Sequence, residues 1–260
     1  MLNLQQYKYL EWNKNGELIL PNVKKIFIPD EGMELFDGDL SGADIQVVAA
    51  DSEAKWLLDF FSKPQEKKVY AYIASEFFQR DISDKSDEYK LYKGVFHGTN
   101  YLLGITKLAS MSGISETLAE ELQQFYFTLN PEIRKWHKRL ELEVKTRGFI
   151  TNAFGRRMWF LDKNNPNLMN EVAAGIPQST IGDVINRAWI KVRRTLPELR
   201  PMLMQTHDSL TGQYPYEVAE EYREQIPKLM EIEIPYNPPL FIPADIKVSR
   251  ISYGDTIKVR

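Results

Sequence analysis

The sequence predicts an α+β fold in which a helical insertion separates the segments of a sheet. Three observations predict it. An apolar strand candidate, MELFD at residues 33 to 37, lies between the turn signals PDEG and GDLSG. A long stretch of helical periodicity follows, and strand character returns only at GFITNAFGRRMWFL. The order is strand, many helices, then hairpin, helix and strand, a helical insertion between sheet segments rather than alternating βαβ units.

After the first strand, ADIQVVAADSEAKWLLDFF places Ile45, Val48, Ala49, Trp56, Leu57 and Phe60 near helical spacing, and Val69, Ile73 and Phe77 continue the pattern. Ser86 before Asp87 and Glu88 marks a helix start, because its hydroxyl can cap free N–H groups and the carboxylates suit the positive end of the dipole. Ser115 opens a helix with Leu118, Leu122, Phe125 and Leu129 on one face. Asn130 and Pro131 open another with Ile133, Trp136, Leu140 and Val144, ended by Gly148. GFITNAFGRRMWFL reads as a hairpin around Asn152 to Arg157, and Thr180 to Arg194 as a helix entered just after Pro177. A strand-like run Met202, Leu203, Met204 leads into His207, Asp208 and Ser209 and resumes at Leu210 to Tyr214, so the His-Asp pair reads as a polar turn. A helix over residues 216 to 231 and a strand over 244 to 251 follow.

With 260 residues, 43% hydrophobic and 27% charged, the chain can bury a substantial core and has the composition of a soluble globular protein. It contains no cysteine, which excludes disulfide frameworks, thiol catalysis and cysteine-ligated metals. No apolar run is long enough to span a bilayer, and MLNLQQYKYLEWNKNG lacks the apolar centre of a signal peptide, so a cytoplasmic protein without a membrane partner is expected. The net charge of −3 is unevenly spread: residues 131–200 carry 14 Lys and Arg against 7 Asp and Glu, residues 1–130 carry 13 against 20, and residues 201–260 carry 6 against 9. A basic centre in an acidic chain suits a polyanion path, and ordinary solvated helix faces would also produce it.

Three constellations have the residue types for chemistry. In DGDLSGADIQ, Asp37 and Asp39 end an apolar strand on either side of Gly38, and Asp44 follows as the chain turns helical. Such carboxylates suit a hard divalent cation such as Mg2+, although taken alone a turn with a helix-capping Asp is the better reading. In YKLYKGVFHGTNY, Lys90, Lys93, His97 and Tyr101 are spaced 3, 4 and 4, so they form one helical stripe able to meet a phosphate chain and a flat base. Gly94 and Gly98 cost that helix roughly 1 kcal/mol each relative to alanine, so a close approach is expected there. The third constellation joins QTHDS to PQSTIGDVINRAW. Asp208 and Asp39 both follow strand-like runs that can be neighbours in one sheet, and two such aspartates can bridge two metal ions about 4 Å apart in phosphoryl transfer.

In order and spacing, DGDLSGADIQVVA, KGVFHGTNY, FGRR, IPQSTIGDVINRA and QTHDS resemble the motifs of family A DNA polymerases, the bacterial DNA polymerase I class, in versions carried by bacteriophages. The resemblance runs from Val23 to Asp255. It implies a right-hand palm, an antiparallel sheet with helices, carrying a helical fingers insertion: palm over residues 1–45 and 166–260, fingers over 46–165. It implies a template-directed DNA polymerase that adds dNTPs to a primer 3′-hydroxyl with two Mg2+ ions, for which Mn2+ can substitute. Asp39 and Asp208 match the metal-binding aspartates, with the backbone carbonyl of Leu40 completing a metal site. Lys93 matches the Lys that meets the triphosphate and acts as general acid toward pyrophosphate, which makes Asp39, Asp208 and Lys93 the catalytic set. Asp44, at the family's sugar-gate Glu, joins Lys90, His97 and Tyr101 in the nucleotide site, while Gln178, His207, Arg156 and Arg157 fall to primer and template.

The chain departs from the family pattern at several positions. Tyr89 stands where an Arg is expected, so Lys90 must supply that charge; Ser209 replaces a supporting Glu, and Leu102 replaces the Gly after the fingers Tyr. Asn170 and Ala174 occupy helix positions where the family often has Arg and Asn. The residues before Asp39 are too few for a thumb, so a split enzyme is expected, in the host cytoplasm if phage-encoded. Its partners would be primer-template DNA, dNTPs and a second polypeptide supplying the thumb and able to carry an exonuclease. The rival reading from another class is an inactive polymerase fragment that binds nucleic acid or a partner protein, against which the two aspartates and Lys93 stand. RNA synthesis by a related palm is a third, against which the acid at position 44 stands.

Overall fold

The computed structural model describes residues 22–199 and 202–259. They group into two compact units: a sheet unit, made of the described residues of Met1–Ser41, Gly182–Glu233 and Phe241–Arg260, and a helical unit, Gly42–Ile181 with Ile234–Leu240. In chain order β1 (Met33–Leu40) belongs to the sheet unit, and the helical unit supplies α1 (Ala43–Ser52), α2 (Lys55–Phe61), α3 (Val69–Phe78), α4 (Asp87–Asn100), α5 (Ile105–Ser112), α6 (Glu116–Leu129), α7 (Pro131–Arg147) and the hairpin β2 (Phe149–Thr151) and β3 (Arg157–Trp159). The helix α8 (Leu168–Thr195) begins in the helical unit and ends in the sheet unit, which then adds β4 (Met202–Thr206), β5 (Ser209–Pro215), α9 (Ala219–Met230), β6 (Ala244–Ser249) and β7 (Ile257–Lys258).

In the sheet unit the five strands run in the order β4-β5-β1-β6-β7, every neighbour antiparallel. Alternation along β1 gives its two faces different work. Glu34 and Gly38 meet α9: the Glu34 carboxylate, 1% exposed, accepts from Arg223 of α9, and also from Arg250 and the Tyr214 hydroxyl, and a Cβ on Gly38 would lie 2.5 Å from the Met230 sulfur. A side chain at 38 would have to displace the end of the Met230 side chain. Asp37 and Asp39 therefore fall on the opposite face.

The helical unit is organised around a buried polar hub. Asn100, at the end of α4, accepts from the Tyr126 hydroxyl of α6 at 2.9 Å and donates to the Tyr70 hydroxyl of α3 at 3.4 Å. Its backbone carbonyl meets Nε2 of His137, from α7, at 2.9 Å, so that nitrogen carries the proton. Burial holds the His137 imidazole down at about 4.

Several elements differ from the sequence expectation for physical reasons. The helical run over 43–61 is two helices, because Glu53 takes a left-handed conformation and Ala54 an extended one. The helix expected to enter after Pro177 begins at Leu168 and passes through that proline. Val172, Ala173 and Ile176 are buried on the same period as Ile181, Val184 and Ile185, and that burial outweighs the roughly 3 kcal/mol cost of an interior proline. The short α5, unmarked in the sequence reading, accounts for the glycines of α4: a Cβ on Gly98 would lie 2.5 Å from Leu108, and one on Gly94 would lie 3.0 Å from the Ser112 hydroxyl. The close approach expected at those glycines is thus made by a neighbouring helix. Among the described residues no helix is long and apolar enough to cross a membrane.

Candidate active site

In the sheet unit the candidate site forms where β1 ends beside the β4–β5 turn. Asp39 pairs with Ser209 of β5 on one side and with Asp245 of β6 on the other. His207 and Asp208 form the two-residue turn between β4 and β5, and the Leu40 amide donates to the Asp208 carbonyl at 3.0 Å, which holds that turn against the end of β1. Ser209 sits across the turn from Thr206, hydroxyl to hydroxyl at 2.5 Å. His207 is exposed and Asp208 half-buried.

Negative charge accumulates at this edge. Partial burial, then the neighbouring Asp208, Asp37 and Asp245, push the Asp39 carboxyl up to about 6 against the opposing pull of Lys247. The other acids there are not alike. Burial raises the Asp245 carboxyl, but bonds from Lys258 and from Ser41, at 2.7 and 2.9 Å, outweigh it and leave it below the usual carboxylate range. Asp37, buried one pleat back, accepts from Thr211 at 3.3 Å and lies beside Tyr253, whose phenol is pushed up to about 12 by burial and by Asp37. Asp245 and Tyr253 were not singled out by sequence. The signal for Asp245 was present, since it opens the final strand candidate, but only the register sets it opposite Asp39.

In the helical unit a second group forms around the end of α4. The Tyr101 hydroxyl donates to Asp44, in the first turn of α1, at 2.8 Å, and Gln178 of α8 also bonds that hydroxyl. Burial first, and then Asp44, raise the Tyr101 phenol far above its ordinary value. The His97 ring lies 4.5 Å from that of Tyr101, tilted 60°. Lys90 and Lys93 are exposed on the same helix; Lys90 bonds Asp87 at 2.6 Å, and Lys93 has no ion pair among the described residues. Tyr89 is buried, so the position where an Arg was expected faces the core.

Arg156 and Arg157 are exposed at the β2–β3 hairpin. The Asn152 side-chain oxygen accepts from the amides of Phe154 and Arg156, each at 3.0 Å, which shapes the loop, and its amide donates to Ser179 at 3.2 Å, the residue after Gln178. The guanidinium of Arg157 lies 5.1 Å from the Phe149 ring. The sequence-predicted residues thus fall into two groups. Asp39, Leu40, His207 and Asp208 lie in the sheet unit, and Asp44, Lys90, Lys93, His97, Tyr101, Arg156, Arg157 and Gln178 in the helical unit.

The family model described as DNA polymerase family A matches residues 3–252. The chain belongs to DNA polymerase family A. It is 27% identical over 230 residues to a DNA polymerase I of Caldicellulosiruptor bescii, covering 85% of this chain and 27% of that protein. It is 26% identical over 234 residues to a DNA polymerase of Mycobacterium phage D29, covering 89% and 37%. The fold is similar to the POL domain of Pol1 from M. smegmatis, solved in complex with DNA primer-template and dNTP: the TM-score is 0.76 at 22% identity, over 97% of this chain and 44% of that one. The chain spans about a quarter of the length of the bacterial DNA polymerase I relatives it matches.

Family A polymerases use divalent metal ions, so the sheet-unit carboxylates can be tested as holders. Among the described residues no three His, Cys, Asp or Glu side chains are grouped to cage an ion. Mg2+ does not need such a cage, because it is held by one or two carboxylates together with waters and substrate phosphates. Asp39 and Asp208 supply that number, and the charge crowding that raises Asp39 is what a cation would relieve. The donor set fits.

Proposed function

We propose that this chain is the palm and fingers module of a DNA polymerase that extends a primer 3′-hydroxyl with deoxynucleotides. In this reading the sheet unit is palm and the helical unit contains the fingers. The observation that carries it is the crowding of Asp208, Asp37 and Asp245 on Asp39, at the meeting of β1 with the β4–β5 turn. Asp39, Asp208 and the Leu40 main-chain carbonyl would hold two Mg2+ ions. When bound, such ions supply activation of the attacking oxygen and stabilisation of the leaving one.

The remaining roles belong to side chains. Lys93, exposed on α4 with no ion pair among the described residues, meets the triphosphate and can donate a proton to the departing pyrophosphate. Lys90 adds a second cation one turn away. His97 and Tyr101 offer rings to the incoming base, and Asp44, held by the Tyr101 hydroxyl, limits room at the sugar 2′ position. Gln178, His207, Arg156 and Arg157 contact primer and template. Because the chain spans about a quarter of its bacterial relatives, the thumb contacts on the duplex come from further polypeptide, in cis or in trans.

Primer extension tests this reading. With a thumb-bearing polypeptide supplied, Mg2+-dependent extension by the chain is expected, weak or absent without it, and lost in Asp39→Ala and Asp208→Ala. Undiminished extension in Asp208→Ala would sink the metal assignment. No extension and no dNTP binding under any of these conditions would favour the inactive fragment.

A further inference from the structure

The end of α4 is closed in an unusual way. The Leu102 amide bonds the Thr99 carbonyl at 3.1 Å and the Leu103 amide bonds the Gly98 carbonyl at 3.0 Å, the paired bonds of a Schellman helix end. That motif needs a left-handed residue just past the cap, a place usually taken by glycine. Here it is Leu102, with φ of +57°. A leucine adopts that conformation only when its surroundings impose it, since its Cβ crowds the backbone there.

The imposing group is Asn170 of α8. Its side-chain amide donates to the Tyr101 carbonyl at 2.9 Å and to the Leu102 carbonyl at 2.8 Å. These are the two carbonyls that follow the helix, and one half-buried side chain ties both. From the other side Asn100, adjacent to Tyr101, is locked into the hub with Tyr126, Tyr70 and His137. The Tyr101 main chain is therefore gripped on both flanks, and its hydroxyl is delivered to Asp44 and Gln178. Asn170 stands where the family often has an Arg, and Leu102 where it has a Gly; the two departures meet in one contact.

We propose that Asn170 is a positioning residue for sugar selection: by holding the strained Leu102 turn it fixes Tyr101, and through Tyr101 the carboxylate of Asp44. The proposal rests on reading Asp44 and Tyr101 as part of the nucleotide pocket. In this chain Leu102 and Asn170 form a linked pair, in which the side chain at 170 supplies the restraint that a glycine at 102 would make unnecessary.

The test is steady-state extension by the full chain, with its thumb-bearing partner, using dNTP and rNTP substrates and the variants Asn170→Ala, Leu102→Gly and their double. Asn170→Ala is expected to raise KM for dNTP roughly tenfold, the size of one lost net hydrogen bond, with a smaller effect on kcat and a reduced preference for deoxynucleotides. The double variant is expected to recover most of that preference, since glycine adopts the turn unaided. Thermal unfolding and amide exchange at Leu102 and Leu103 run alongside. Faster exchange in Asn170→Ala, reversed in the double, is expected whatever the activity. An unchanged sugar preference in Asn170→Ala, or loss in the double as large as in the single, overturns the proposal while leaving the pocket reading intact. Absence of any dNTP-dependent extension by the unsubstituted chain overturns the pocket reading and this proposal with it.

Discussion

The two units use their buried polar groups in opposite ways. Around Asn100 in the helical unit, each of Tyr126, Tyr70 and His137 has a partner, and no charge is left over. At the end of β1 in the sheet unit, Asp39 has Asp208, Asp37 and Asp245 around it, and the pull of Lys247 does not offset them. The contrast exists within the sheet unit as well, for on the other face of β1 the buried Glu34 is held below its ordinary value: burial raises it, and Arg223, Arg250 and Tyr214 outweigh that. A buried polar group whose partners are built in serves as scaffold. One left among like charges marks a place that receives a counter-charge from outside, and that difference separates Asp39 from Glu34 better than residue type does.

The strongest way to break this comparison is to remove a carboxylate and find activity intact. Asp208→Ala should lower primer extension by roughly a thousandfold or more, about 4 kcal/mol of barrier, with the fold retained by circular dichroism. Next in size is the hub. Asn100→Leu leaves the Tyr126 and Tyr70 hydroxyls buried without their partner and should cost about 3 kcal/mol in urea unfolding.

The pH dependence sharpens the contrast, since Asp39 and His137 respond to acid with opposite sign. Asp39 holds its proton more tightly folded than unfolded, so in metal-free protein its own contribution to stability grows as pH falls from about 6 toward the ordinary 3.8. Asp39→Asn should therefore stabilise the metal-free protein at pH 7.5 by about 1–2 kcal/mol, discounted for partial exposure, and the gain should fade below pH 6. His137 is the reverse case. The unfolded imidazole takes a proton near 6.5 and the folded one only near 4, so stability is lost as pH falls through that window, and His137→Gln should flatten the loss. The smallest effect is at a helix end. The Ser86 hydroxyl accepts from the Tyr89 amide at 3.1 Å, and Ser86→Ala should cost about 1 kcal/mol of thermal stability without touching the metal response.

Much of the fold was legible because local rules and tertiary packing agree. Ser86 and Ser115 cap α4 and α6, Pro131 opens α7 and Gly148 closes it in the left-handed conformation, as their spacing predicts. Where packing overrode local preference the sequence misled: at Pro177, inside α8, and at Glu53, which splits one apparent helix into two. The short α5 went unread because its buried face is only Leu108, Ala109 and Ser112. For the site, the sequence set Asp39 and Asp208 each after a strand-like run and expected those runs to be neighbours; they are β1 and β4, which share the sheet with β5 between them, and it is β5, the strand that follows Asp208, that is hydrogen-bonded to β1. Asp245 and the Asn170–Leu102 contact depend on register and on a side chain reaching a carbonyl about seventy residues away along the chain, and neither leaves a local trace.

The most direct test of the central claim is thermal unfolding at pH 7.5 as Mg2+ is titrated into the unsubstituted protein, Asp39→Asn and Asp208→Asn. Ligand that binds only the folded state raises Tm with concentration. The unsubstituted protein should show that rise, while Asp39→Asn starts higher without metal and both variants stay flat. An equal rise in all three would contradict the assignment of the Asp39 and Asp208 edge as the place where the cation is received.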